Sequence, residues 1–209
     1  ITDEIRHIKM VMVDPNSLAT ISVNDPELMI NKPAGLTAAT GMDALTHAIE
    51  SYITAGAFRL SDTLSLEAIK LIGESLETAV KDGKNIEARS KMAWASYTAG
   101  LSFSNAGLGI VHSMAHQLGS EYNLPHGVAN AVLLPHVEEF NMDACGEKFR
   151  DIAKALGTCT KDMTTEEANK AAIQAIKDLS AKVGIPKGLK ELGVKEEDIE
   201  LLAKMTTAR

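Results

Sequence analysis

Residues 33–53 read PAGLTAATGMDALTHAIESYI. Small and apolar residues recur there at three- and four-residue spacing, the period of a helix with a buried face. The stretch reads as one helix or as two, with Gly41 as the point of a break. Asp43 and His47 stand four apart. On a helix such a pair shares one face, with Cβ atoms about 5–6 Å apart, so both can point at one ion. Spacing alone leaves a plainer reading open, in which Asp43 caps a second helix beyond Gly41 and His47 is simply packed.

Outward from this stretch the pattern stays helical. SDTLSLEAIKLIGESLETAVKDG (61–83) predicts a helix that starts at a Ser61 cap and stops at Gly83. NIEARSKMAWASYTAGLSFSN (85–105) predicts an Ala-rich helix able to pack closely on its neighbours. A fourth runs from about Gly107 to Tyr122. Pro125 suits the first turn of a fifth, through HGVANAVLLPHVEEFN, with Pro135 a candidate kink. EKFRDIAKALG is a sixth. TTEEANKAAIQAIKDLSAKVG is a seventh, with Thr164 and Glu167 spaced as a capping box. IPKGLKELGV and KEEDIELLAKM read as two short final helices. The fold class is therefore mainly α, a helical bundle with a short β segment at the N-terminus. That segment is IKMVMV (8–13) and TISV (20–23), each β-prone and followed by a turn signal.

Bulk properties exclude several classes. A hydrophobic fraction of 45% in 209 residues is enough for a sizeable core. Aromatics are scarce, so aliphatic residues, Met and Ala must build it. The net charge of -7 argues against nucleic acid and anionic membranes as partners. No apolar run approaches the roughly 20 residues of a membrane span, and no signal-peptide pattern opens the chain. Cys145 and Cys159 form no CxxC motif, so a reducing cytoplasm is expected. The chain opens on Ile1 and ends just after a helical pattern, so a piece of a longer protein is expected.

A second group of candidate ligands lies in GIVHSMAHQLGSEYNLPHGVAN (109–130). His112 and His116 form another four-apart pair, and His126 follows a turn. A divalent ion on helices takes three or four N/O ligands from separate elements. Asp43, His47 and two or three of these histidines fit that demand. Other chemistries fail on residue identity. HxxxH carries Ser113 where a zinc protease needs its Glu base. No histidine precedes an Asp, as a helical HD-type phosphohydrolase requires. Only Glu4 and His7 have the ExxH spacing of a di-iron bundle. Gly107 and Gly109 read as a helix-start turn, because GxG without a third glycine or a preceding strand is a poor dinucleotide fingerprint. His7 and His136 read as ordinary strand and helix residues.

The two blocks PAGLTAATGMDALTHAIESYI and GLGIVHSMAHQLGSEYNLPHGVANAVLLPHV resemble the iron-containing (group III) alcohol dehydrogenases, and ISVNDPELM and VGIPKGLKELGV extend the likeness over most of the chain. The wording is nearest the branch that includes the 1,3-propanediol, methanol, butanol and lactaldehyde-reducing enzymes. The resemblance implies the C-terminal helical domain of a dehydroquinate synthase-like, iron alcohol dehydrogenase fold. Residues 1–30 would be a remnant β segment of the N-terminal nucleotide-binding domain, and 31–209 the all-helical metal-binding domain, cut short at its C-terminal end. The family's glycine-rich phosphate-binding run is missing here, so NAD(P) binding would need the absent domain.

The resemblance also implies roles. Asp43, His47, His112 and His126 match the family's metal ligands, with Fe(II) expected and Zn the alternative. His116 matches the residue beside the nicotinamide and substrate, where it would bind cofactor and pass a proton. The implied activity is NAD(P)-linked oxidation of small primary alcohols or diols, or reduction of the aldehydes, by a cytoplasmic homo-oligomer. The rival readings are an isolated metal-binding helical domain without activity, and a glycerol dehydrogenase-like zinc enzyme with fewer protein ligands.

Overall fold

The computed structural model describes residues 14–207, together with the backbone of Thr2–Asp3 and Ile8–Lys9. Those two short segments, β1 (Thr2–Asp3) and β2 (Ile8–Lys9), pair antiparallel, Thr2 opposite Lys9 and Asp3 opposite Ile8. His7 and residues 10–13 of the expected IKMVMV strand lie outside the described residues. TISV is not a strand. Residues 20–23 are irregular and exposed, with Ile21 and Val23 turned to solvent. A β-prone run forms a strand only when a partner supplies hydrogen bonds, and residues 20–23 have no ladder partner among the described residues. A 3-10 turn, Pro26–Met29, then leads into the bundle, with Asp25 accepting from the Glu27 amide.

The rest is helical: α1 (Ala34–Ile53), α2 (Arg59–Lys81), α3 (Ile86–Ala106), α4 (Ile110–Glu121), α5 (His126–Asn141), α6 (Lys148–Ala155), α7 (Thr165–Lys182) and α8 (Ile199–Thr207). The reading of 33–53 as one helix holds. Gly41 is no break. It is buried where α1 meets α2, and a Cβ there would lie 2.2 Å from Leu76 Cδ1. Glycine thus serves close helix packing. Asp43 therefore sits mid-helix and caps nothing. Helix α1 is covered on nearly every side and forms the axis of the domain, touching α2, α3 and α5. Met42, Leu45 and Ile49 join Ile69, Ile72 and Leu76 of α2 in one apolar core that reaches through Phe149 of α6 to Ile176 of α7.

Two sets of polar groups inside this core are paired. Ser51, Ser65 and Ser102 form a buried hydroxyl chain across α1, α2 and α3, with successive oxygens 2.8 Å apart, and Ser102 donates onward to the Ser61 carbonyl. Arg89 is 2% exposed and donates to the Gly83 carbonyl, the Thr37 hydroxyl and the Lys32 carbonyl. It ties the α2–α3 turn to the entry of α1.

Caps follow the expected chemistry in part. Thr164 and Glu167 form the capping box of α7, and Asn85 caps α3 through the Ala88 amide. Ser61 is not the cap of α2. The helix starts one turn earlier, and Ser61 reaches back to accept the Phe58 amide at 2.9 Å. Pro125 is the residue before α5 rather than its first turn, and α5 runs on through Pro135. Gly109 begins α4, while Gly107 ends α3 with φ 96°. Of the two final helices, the first is only a 3-10 turn, Leu189–Leu192. The second is α8, whose preceding 3-10 turn, Glu196–Asp198, is fastened by a hydrogen bond from the Tyr122 hydroxyl to Asp198. Among the described residues no helix is long and apolar enough to cross a membrane.

Candidate metal centre

Three helices bring the polar cluster together. Helix α1 supplies Asp43, His47 and Glu50 on one face. Helix α4 supplies His112 and His116. The first residue of α5 is His126. Their convergence depends on close backbone approach. A Cβ on Gly127 would lie 2.5 Å from the Ala39 carbonyl oxygen and 3.4 Å from Asp43 Cβ. Only glycine lets the start of α5 sit this near α1.

Asp43, His112 and His126 each turn a ligand atom to one point, all within 4.8 Å of one another. His126 Nε2 is 3.6 Å from Asp43 Oδ1, and His112 Nε2 is 3.9 Å from the same oxygen. Asn130, one turn into α5, donates to Asp43 Oδ1 at 2.6 Å and lies 3.1 Å from His126 Nε2. His112 Nε2 is buried and has no hydrogen-bond partner among the described residues. A buried polar atom in that condition costs free energy unless something binds it. Grouped with His112 within 4.8 Å are a carboxylate oxygen of Asp43 and an imidazole nitrogen of His126. That donor set fits a divalent cation.

His47 takes a different position. Its ring stacks between Phe103 at 4.6 Å and His112 at 4.4 Å, centroid to centroid. Its nitrogens are not in the converging group. Burial drives its imidazole down to about 4, against the pull of Asp43. It is therefore neutral near pH 7, the form in which imidazole binds metal. His116 is half-buried at the edge, its ring stacked on His126 at 5.4 Å and edge-on to His112 at 6.5 Å. His136 is an exposed helix residue away from the cluster, as read from the sequence.

Two residues escaped the sequence reading. Glu50 is 1% exposed. Its Oε1 accepts the Val111 amide at 2.7 Å, and its Oε2 lies 2.5 Å from His112 Nδ1. A signal existed, since Asp43, His47 and Glu50 fall on one helical face by their four- and three-residue steps. Asn130 had none, because its role depends on α5 meeting α1.

The sequence profile of the Fe-containing alcohol dehydrogenase family, C-terminal part, matches residues 37–209. The chain belongs to the Fe-containing alcohol dehydrogenase family. It is 54% identical over 198 residues to a 1,3-propanediol dehydrogenase of Citrobacter freundii, covering 95% of this chain and 51% of the relative. It is 51% identical over 204 residues to an NAD-dependent methanol dehydrogenase of Bacillus methanolicus, covering 98% of this chain and 54% of the relative. A crystal structure of a 1,3-propanediol oxidoreductase superposes with a TM-score of 0.91 at 53% identity, over 92% of this chain and 50% of that one. The chain thus spans about half the length of the curated relatives it matches. The helical bundle, with the Asp43, His112 and His126 group between α1, α4 and α5, lies within the residues that the family's C-terminal profile matches.

Proposed function

We propose that this domain is the metal-binding half of an NAD(P)-linked alcohol dehydrogenase or aldehyde reductase for small primary alcohols or diols. The observation that carries the reading is the buried, unpartnered His112 Nε2 facing Asp43 beside His126. In this reading Asp43, His47, His112 and His126 hold the ion. The family name favours Fe(II), and the same donors accept Zn(II). Residues 31–209 are the metal-binding domain. Residues 1–30 belong with a nucleotide-binding domain supplied by the half of the relatives that this chain does not match.

When bound, the ion would supply Lewis acidity for a substrate oxygen, and a nicotinamide cofactor would supply the hydride chemistry. The residues of this chain do the rest. Asp43 brings a carboxylate to the centre. Asn130 holds one oxygen of that carboxylate in place. Burial of His112 at 4% exposure keeps water from its side of the group. His116, half-buried beside His126, is the group that takes the hydroxyl proton during oxidation and returns it during reduction, a task for which imidazole is the commonest side chain. The working protein is a cytoplasmic homo-oligomer. On its own, the chain would bind the ion without turning over cofactor.

One observation favours the smaller ligand set of a zinc enzyme: the converging group lacks His47. Substitution of His47 separates the two. The direct test of function is NAD(P)H-linked reduction of small aldehydes by the full-length protein. Turnover that requires the ion and fails in His116→Ala, with metal content intact, is expected. Full turnover by metal-stripped protein would sink the reading.

A further inference from the structure

Glu50 stands behind the ligand group and touches α4 at two points. It lies on α1, with Asp43 and His47 on the same face. Its two oxygens are both engaged, one by the backbone of α4 and one by a histidine ring of α4. We propose that Glu50 is a positioning residue of the metal centre, holding His112 so that Nε2 presents its lone pair to a divalent cation shared with Asp43 and His126. The proposal rests on the metal reading above.

The chemistry of the ring carries it. A neutral imidazole has one N–H and one lone pair. A carboxylate oxygen 2.5 Å from Nδ1 accepts a hydrogen bond from the N–H of that nitrogen, which leaves the lone pair on Nε2. Nε2 is the buried, unpartnered atom that faces Asp43 Oδ1. The ring plane is fixed independently, because His47 stacks on it at 4.4 Å. Rotation of the ring would break the Glu50 contact and that stack together. Such outer carboxylates set tautomer and orientation at histidine metal sites.

The second oxygen explains why the carboxylate is held so firmly. The Val111 amide is one of the first N–H groups of α4, which have no partner inside the helix. Oε1 accepts it at 2.7 Å, at the positive end of the helix dipole. Gly109 makes the room, since a Cβ there would lie 2.7 Å from Oε1. One side chain thereby docks the start of α4 onto α1 and aims the ligand that α4 carries. A carboxylate kept only to fill space would be replaceable by an apolar residue of the same size. This one meets two donors that both need an acceptor.

Glu50→Gln breaks that match with almost no change in shape. Gln offers one acceptor and one donor where the site needs two acceptors. Its amide group must either oppose the Val111 N–H or donate to His112 Nδ1, and the latter moves the ring proton to Nε2. The experiment is a titration of metal-stripped full-length protein with Co2+ in competition with a chelating dye, beside circular dichroism. Glu50→Gln is expected to lose about 10–100-fold in Co2+ affinity with native helix content, and to alter the visible Co2+ absorption. Gly109→Ala, which leaves Glu50 in place and presses on Oε1, is expected to weaken binding in the same direction. It decides the matter if Glu50→Gln does not fold. Glu50→Gln binding Co2+ with wild-type affinity and spectrum overturns the proposal, as does a folded Gly109→Ala with wild-type affinity. Failure of the underlying metal reading looks different: the wild-type protein binds no Co2+, or binds it equally well in His126→Ala.

Discussion

Asp43 on α1 and His126 at the start of α5 face each other with Oδ1 and Nε2 3.6 Å apart, an approach that Gly127 permits by lying against the Ala39 carbonyl. Helix contact and ligand geometry are here the same fact. Whatever separates α5 from α1 also separates His126 from Asp43.

Gly127→Ala is therefore expected to damage both. The new Cβ meets backbone atoms of Ala39 at 2.5–2.8 Å, which cannot rotate away as a side chain can. Overpacking of this kind costs about 1–3 kcal/mol. A lower urea midpoint together with weakened metal retention is the expected outcome. Unchanged metal content would mean that the α1–α5 spacing does not set the centre.

Arg89→Ala provides the contrast. It removes the donor to Gly83 O, to the buried Thr37 Oγ1 and to Lys32 O, of which the Thr37 and Lys32 contacts are cross-element ties. Each buried group left unsatisfied costs about 1–3 kcal/mol. A fall in thermal midpoint is expected, with metal stoichiometry retained in the protein that remains folded, because Arg89 touches none of the ligand residues.

Much of this is legible along the chain, for physical reasons that differ from element to element. Helix α1 and the Thr164–Glu167 box of α7 are local features, set by residues within one or two turns. The same holds for the pairing of Asp43 with a face of α1. Ser61 passes for a cap because a serine at either the first or the third position satisfies the same turn, and only the position of Phe58 tells them apart. TISV passes for a strand because its β propensity is local, whereas the partner that would bond it is not. Glu50 and Asn130 act across α1–α4 and α1–α5 contacts, with sequence separations of 62 and 87 residues. No periodicity reveals such pairs. His47 marks the boundary: its place on the right face is readable, its stacking between Phe103 and His112 is not.

Glu138 predicts a pH dependence. Burial raises its carboxyl to about 8, with a smaller opposing effect from the Asn141 amide and repulsion from Glu50. The folded state thus holds a proton that the unfolded chain releases near its ordinary value of 4.5. Where the native state binds more protons, stability falls as pH rises. The loss should run from about pH 4.5 to 8 and reach a few kcal/mol, at about 1.4 kcal/mol for each tenfold change in proton activity across that window. Glu138→Gln should flatten it. Urea midpoints at pH 5 and pH 8 check this; equal slopes in the two proteins would show Glu138 uncoupled from folding.

His47→Ala tests the size of the ligand set. If four residues hold the ion, the variant loses affinity as steeply as His112→Ala does. Affinity measured by chelator competition would then fall by at least about 10-fold. A small loss would make His47 a stacking partner of His112 and favour the three-donor centre.

The most direct measurement of the central claim is metal content by elemental analysis, after exhaustive dialysis, of the full-length protein and its His126→Ala variant. The account predicts one tightly held divalent ion per chain in the wild type and none in the variant, with helix content unchanged. An equal, full complement of metal in both proteins would contradict it.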